Sequence, residues 1–303
     1  MNKLDDIMGG NVLGTKMETV VYKVADGCAI KADIYSGNNE GAPLIVYIHG
    51  GALIWGTRKN INPRRVELYR EAGFSVISID YRLAPETLLN QIAEDVQDAI
   101  KWIHSESKSK YGLNSDKLAV VGSSAGGYLA LLTGTFPNKP KAIVSFYGYG
   151  DIIADWYCKP SEFYCMQPKV SREEAYTYVG DTIISEGGWD RFKYYLYCRQ
   201  NGIWTSEVSG YDIVADKDKI MKFCPYYCAG KDFPPTLFLH GDADTDVPYT
   251  ESVKMVQKLT ELGVNNKLIM LKGKGHAFDR DMDDADVKNA FTEVIKFLNE
   301  NIG

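Results

Sequence analysis

An α/β fold built on an eight-stranded, mostly parallel sheet with helices on both faces is predicted for this 303-residue sequence from three observations. Short, continuously apolar runs such as PLIVYIH, FSVISID, LAVVG and TLFLH recur, as expected of strands buried on both faces. Segments of helical spacing follow several of them, so the later strands alternate with helices. Glycines stand where strands and helices end. A chain of this length buries about three quarters of its unfolded surface, and its core needs no disulfide or metal.

The elements follow in order. Residues 18–25 and 28–35 read as two strands joined by Asp26-Gly27, a hairpin signal. Pro43 to His49 is a buried strand. Helical spacing around Arg65 to Ala72 ends at Gly73, a C-cap residue, and residues 74–80 form the next strand. From Asn90 to about Ser107, Ile92, Val96, Ala99, Ile100 and Ile103 make one apolar stripe, the pattern of an amphipathic helix. Further strands are expected at 117–122, 141–147, 236–240 and 267–271, and helices at about 125–135, 250–262 and 284–300.

Residues 148–232 break this rhythm. They hold 11 of the 20 Tyr, 3 of the 5 Trp and 5 of the 6 Cys, too aromatic a composition for disorder. A connection that long is functional or a subdomain. The segment is therefore expected to be an aromatic-rich cap of helices and irregular turns inserted into a core of residues 1–147 and 233–303. Its Trp and Tyr side chains offer a pocket with flat apolar faces and polar tips. The plainer expectation is that they form the core of the cap.

Composition narrows the function. With 34 Lys+Arg against 40 Asp+Glu, the net charge of −6 and the lack of any basic run argue against nucleic acid as a partner. The N-terminal MNKLDDIMGGNVLG has no apolar signal-peptide region, and no apolar stretch approaches the ~20 residues of a membrane span. A soluble cytoplasmic protein is expected. The six cysteines then read as reduced thiols. Cys224 and Cys228 would open a zinc site only with a CxxC pair or a nearby His, and neither is present. No cofactor and no metal is expected.

The strongest chemical signal is Gly122-Ser123-Ser124-Ala125-Gly126, placed between a buried strand and GYLALL. In a strand–elbow–helix, the glycines permit a tight turn that lifts Ser124 above the sheet edge, and the helix N-terminus points at the same spot. Without that context, the motif would be a Gly/Ser-rich turn. His49-Gly50-Gly51-Ala52 ends another strand, where paired glycines bring backbone amides close to a ligand; a simple βα turn would also need them. Of four histidines, His49 belongs to that turn and His104 to a helix. His240 ends a strand, where a packed ring is expected. His276 lies in a glycine-flanked loop free to reach a serine across the sheet edge. His276 is therefore the expected base, with Asp244 in the loop after the 236–240 strand as its acid. Tyr128 and the segment from Asp80 to Glu86 are expected to be structural.

These residues resemble those of the α/β-hydrolase superfamily, over nearly the whole chain outside the cap. The order Ser, Asp, His is the one that fold uses. Within it, HGGALIWG and DYRLAPE are similar to the hormone-sensitive-lipase-like, or fold-3, esterases. That resemblance implies an oxyanion hole of the Gly50 and Gly51 amides, with Ala125 supplying a third. HGDADTDVP departs from that branch and is similar to prolyl-oligopeptidase-like and feruloyl/acetylxylan-esterase-like relatives, in which the acid stands three residues before the Val. This again selects Asp244, with Asp242 and Asp246 as rivals. The resemblance implies a serine carboxylesterase acting on small to medium esters through an acyl-enzyme, with a small-molecule ester as partner and a homodimer left open. A small amidase or peptidase with the same triad, and a non-catalytic small-molecule receptor on this fold, are the alternatives.

Overall fold

The computed structural model describes residues 17–37 and 41–303; the N-terminal stretch read above for targeting signals lies outside them. Eight strands, β1 (Met17–Ala25), β2 (Cys28–Tyr35), β3 (Pro43–Ile48), β4 (Ser75–Ile79), β5 (Asn114–Ser123), β6 (Ala142–Phe146), β7 (Thr236–Gly241) and β8 (Asn266–Leu271), form one sheet. Their spatial order is β1-β2-β4-β3-β5-β6-β7-β8. The β1–β2 hairpin and the β2–β4 pair are antiparallel, and every other pair is parallel. Asp26 and Gly27 both have positive φ, as a two-residue hairpin turn requires.

Alternation along the strands divides the apolar residues between two faces. In β3, Leu44, Val46 and Ile48 join one cluster while Ile45 and Tyr47 join the other. Helices α1 (Pro63–Glu71), α2 (Leu89–Tyr111) and α3 (Ala125–Thr133) follow β3, β4 and β5. The α2 stripe of Ile92, Val96, Ala99, Ile100 and Ile103 packs with α3 on the first face, whereas α1 places Val66 and Tyr69 on the second. Helix α2 continues past Ser107 to Tyr111, whose ring lies 6.1 Å from that of Trp102.

Between β6 and β7, seven short helices replace a simple crossover: α4 (Asp155–Cys158), α5 (Glu162–Cys165), α6 (Arg172–Tyr176), α7 (Phe192–Asn201), α8 (Trp204–Ser209), α9 (Lys217–Met221) and α10 (Pro225–Cys228). The chain then closes with α11 (Thr250–Glu261) and α12 (Ala285–Ile302), the latter covering the second face. The inserted segment builds no separate core. Tyr149, Tyr157, Tyr194, Tyr195 and Trp204 belong to the same apolar cluster as α2 and α3. Tyr157 stacks on Trp204 with ring centroids 3.9 Å apart, and Trp204 donates its indole N–H to the carbonyl of Ala52 at 3.0 Å.

The insert also clamps the turn after β3. Gly56 and Gly187 exchange backbone hydrogen bonds of 2.9 and 3.1 Å. The buried guanidinium of Arg191 donates to the carbonyls of Ile54 at 2.6 Å and Ala84 at 2.7 Å, and pairs with Glu86. Buried carbonyls need such donors, and here the insert provides them. The glycine turn is thereby tied to a segment more than 130 residues away.

Candidate active site

The site grows from the end of β5. Ser124 has φ 58 and ψ −122, an unfavourable backbone for a non-glycine residue, and caps the N-terminus of α3. It is held there by its amide donating to the carbonyl of Phe146 at 2.9 Å. The elbow fits only because Gly126, two residues beyond Ser124, lacks a side chain: a Cβ there would stand 2.0 Å from the carbonyl oxygen of Ile48. The turn puts the Ser124 hydroxyl at the C-terminal edge of the parallel strands, where open α/β sheets collect ligands.

The structure brings Ser124, His276 and Asp244 together. Ser124 Oγ lies 3.0 Å from Nε2 of His276, and His276 Nδ1 lies 2.7 Å from Oδ2 of Asp244. With the proton on Nδ1, the ring donates to the carboxylate and accepts from the hydroxyl. Asp244 is fully buried at its side chain. Its Oδ1 accepts from the amides of Asp246 at 2.9 Å and Val247 at 3.0 Å. Burial alone would raise its pKa, but the hydrogen bonds and charges of His240 and His276 outweigh it and hold the carboxyl well below the usual range. His276 responds in the opposite sense. Burial disfavours its cation, yet the carboxylates of Asp246, Asp244 and Asp279 raise it above the ordinary 6.5.

The two rival aspartates are placed differently. Asp242 is exposed and accepts from the amide of Gly273 across the β8 turn. Asp246 lies with Oδ2 3.6 Å from Nε2 of His276. Of the other histidines, His49 is fully buried, stacked on Tyr81 at 4.3 Å, and donates from Nδ1 to the carbonyl of Gly50 at 2.7 Å. Burial lowers its pKa to about 4, so it stays neutral as scaffold.

Gly50 and Gly51 line the approach to the elbow. A Cβ on Gly50 would stand 2.8 Å from the Ser123 carbonyl and 3.2 Å from Ser124 Cβ, so this backbone lies directly against the serine. Gly51 has φ 110, and its carbonyl turns inward to accept from Ile54 at 2.8 Å and Trp55 at 2.9 Å. Ala125 is the first residue of α3, where backbone N–H groups have no intrahelical acceptor.

Sequence reading missed the supports. His240 is packed, as expected, but it also reaches Asp244, with Nε2 3.3 Å from Oδ2. Beneath the elbow, buried Arg65 donates to Ser123 Oγ at 3.2 Å and pairs with Asp279, which also accepts from Tyr147. The Tyr147 ring packs 4.6 Å from that of His276. The only local trace of these supports is the four-residue spacing from His240 to Asp244. Of the insert's tryptophans, Trp204 lies wholly inside the core, whereas Trp189 is 62% exposed, its ring 5.5 Å from that of Trp55. All six cysteines are free thiols. Among the described residues no cluster of His, Cys, Asp and Glu has the makings of a metal site, and no helix is long and apolar enough to cross a membrane.

Comparison with known proteins agrees with this architecture. A crystal structure of a Staphylococcus aureus protein of unknown function superposes with a TM-score of 0.77 at 24% identity, covering 95% of this chain and all of that one. Esterase LipW from Mycobacterium marinum superposes with a TM-score of 0.69 at 20% identity, covering 96% of this chain and 83% of its own. Among curated proteins, the non-reducing polyketide synthase pkbA of Emericella nidulans is 31% identical over 95% of this chain. The chain spans 14% of that protein's length, so the similarity is to one region of a much longer enzyme. The BD-FAE family model matches residues 32–259, three quarters of the sequence. With the α/β sheet and its elbow in place, the chain belongs to the BD-FAE family.

Proposed function

We propose that the protein is a serine carboxylesterase for small to medium carboxylic esters. The observation that carries this reading is the hydrogen-bond chain from Ser124 through His276 to Asp244, at 3.0 and 2.7 Å, with Ser124 on a strained turn at a helix N-terminus. Ser124 Oγ attacks the ester carbonyl carbon while its proton passes to His276 Nε2. Asp244 keeps the ring in the required tautomer and stabilises the imidazolium. The amides of Gly50, Gly51 and Ala125 receive the oxyanion, each worth about 10²–10³ in rate. As the carbon–oxygen bond to the alcohol breaks, His276 returns the proton to the leaving oxygen. It then takes a proton from the water that attacks the acyl-enzyme, and passes it to Ser124 Oγ as the carbon–oxygen bond to the serine breaks and the acid is released.

A serine-directed fluorophosphonate is expected to label Ser124, and Ser124→Ala is expected to lower kcat by about 10⁴–10⁶. Equal turnover by Ser124→Ala and the unaltered protein would overturn the reading, and no turnover by either would favour a receptor. A matched ester and amide pair separates the remaining alternative: amide turnover comparable to ester turnover would make the enzyme an amidase.

A further inference from the structure

Two carboxylates flank His276, one at each nitrogen. Asp244 meets Nδ1 at 2.7 Å, and Asp246 Oδ2 stands 3.6 Å from Nε2, the nitrogen that also faces Ser124. The other oxygen of Asp246 is fixed from the inserted segment: Oδ1 accepts from the Tyr195 hydroxyl at 2.6 Å and from Arg199 at 2.8 Å. Tyr195 and Arg199 are one turn apart on α7 and share its inner face. Arg199 is 2% exposed, lies 4.8 Å over the Tyr157 ring, and donates twice more to the Asp246 backbone carbonyl at 3.2 Å. Gripped at one oxygen and at its own carbonyl, Asp246 is held with its second oxygen beside the histidine.

We propose that Asp246, held by Tyr195 and Arg199, is a positioning residue that stabilises the His276 imidazolium from its Ser124 side, so that the inserted segment tunes the base. This rests on the serine-esterase reading above. In the tetrahedral intermediate Ser124 Oγ is bonded to the substrate carbon and no longer donates to Nε2, while the ring holds the proton there and carries a positive charge. Asp246 Oδ2 is a second negative group at that nitrogen, and its distance suits an electrostatic role better than a direct hydrogen bond. The groups facing His276 are Asp244 and Asp246 from the loop after β7, Asp279 two residues beyond Ala277, and Tyr147 from the end of β6; Arg65 of α1 lies behind Asp279. Burial opposes the histidine cation, and Asp246 is foremost among the charges that favour it. Arg199 sets the size of the effect, because its guanidinium offsets part of the Asp246 charge.

The test is the pH dependence of kcat/KM on a neutral ester for D246N, D246E and R199Q. D246N should move the acid limb to lower pH and lower the plateau by about tenfold, the scale of one partly screened charge at this distance. R199Q should move the limb the opposite way, since it leaves Asp246 uncompensated, and D246E should restore the limb toward that of the unaltered enzyme. A merely structural pair would not shift the two limbs in opposite directions. An unmoved limb in D246N, or limbs moving the same way in D246N and R199Q, would overturn the proposal; if R199Q does not fold, the D246N and D246E limbs decide. NMR titration of the His276 ring in S124A, with and without D246N, reads the same shift without turnover. If S124A keeps full activity the esterase reading fails, and this titration still decides whether Asp246 acts on His276.

Discussion

His240 reaches back over one turn of chain to Asp244: its Nε2 lies 3.3 Å from the carboxylate and 3.0 Å from the carbonyl of Val247, while Nδ1 meets Ser252 Oγ at 2.8 Å. One buried ring thus binds both ends of the acid loop and anchors it to α11. Replacing His240 with Leu leaves the Val247 carbonyl and the Ser252 hydroxyl buried without this partner. We expect a loss of about 1–3 kcal/mol in urea denaturation. Displacement of Asp244 should also cost up to about 10²-fold in kcat/KM. A variant as stable and as active as the parent would show that the acid loop is held by its backbone alone.

The contributions of the two partners to stability should depend on pH in opposite senses. His276 has a folded-state pKa above 6.5, so its contribution to stability is full below the unfolded value and is lost as pH rises through the folded one. Asp244 lies below the ordinary 3.8, so its contribution is present above that value and is lost as pH falls through its lower folded one. The base must be neutral to act, so the acid limb of kcat/KM should lie above pH 6.5. A limb at or below that pH would contradict the raised His276.

Arg65 and Asp279 form a buried ion pair joining α1 to the loop that carries His276. Arg65→Met would leave Asp279 charged and uncompensated, at a cost of about 3–5 kcal/mol. Adding Asp279→Asn should recover a large part of it, because the penalty lies in the stranded charge. A double-mutant cycle by denaturation measures this directly. Strictly additive losses would show that the two side chains act independently.

The tryptophans of the insert should separate into two kinds. Trp204→Leu is expected to cost about 2–4 kcal/mol, because it empties a buried stack and strands the Ala52 carbonyl. Trp189 is mostly exposed and stacks on Phe192 at 4.6 Å beside Trp55, so Trp189→Leu should change stability by less than about 0.5 kcal/mol. If the Trp55–Trp189 wall meets substrate, Trp189→Leu will alter the acyl chain-length profile of kcat/KM by up to about 10–200-fold per step. A flat response would remove this wall from the substrate site.

Periodicity and turn chemistry by themselves determined the sheet, the helices that cover it and the elbow at Ser124. Those features depend on neighbours within a few residues: the alternation that splits β3 between two cores, the α2 stripe, and the glycines around the serine. The loop histidine and a nearby aspartate were also legible, since strand ends bring both to one sheet edge. Only the tertiary structure decided what each aspartate does. Asp242, Asp244 and Asp246 alternate along five residues of one loop, yet one turns to Gly273, one is enclosed by two histidines, and one is seized by Arg199 from 47 residues away. The same holds for Trp204, whose burial depends on the Ala52 carbonyl 152 positions earlier. Pairings at such separations leave no local period. They are set by which buried donors and charges must find partners once the chain has closed, and the inserted aromatic segment, with no repeating spacing of its own, takes its shape from those demands.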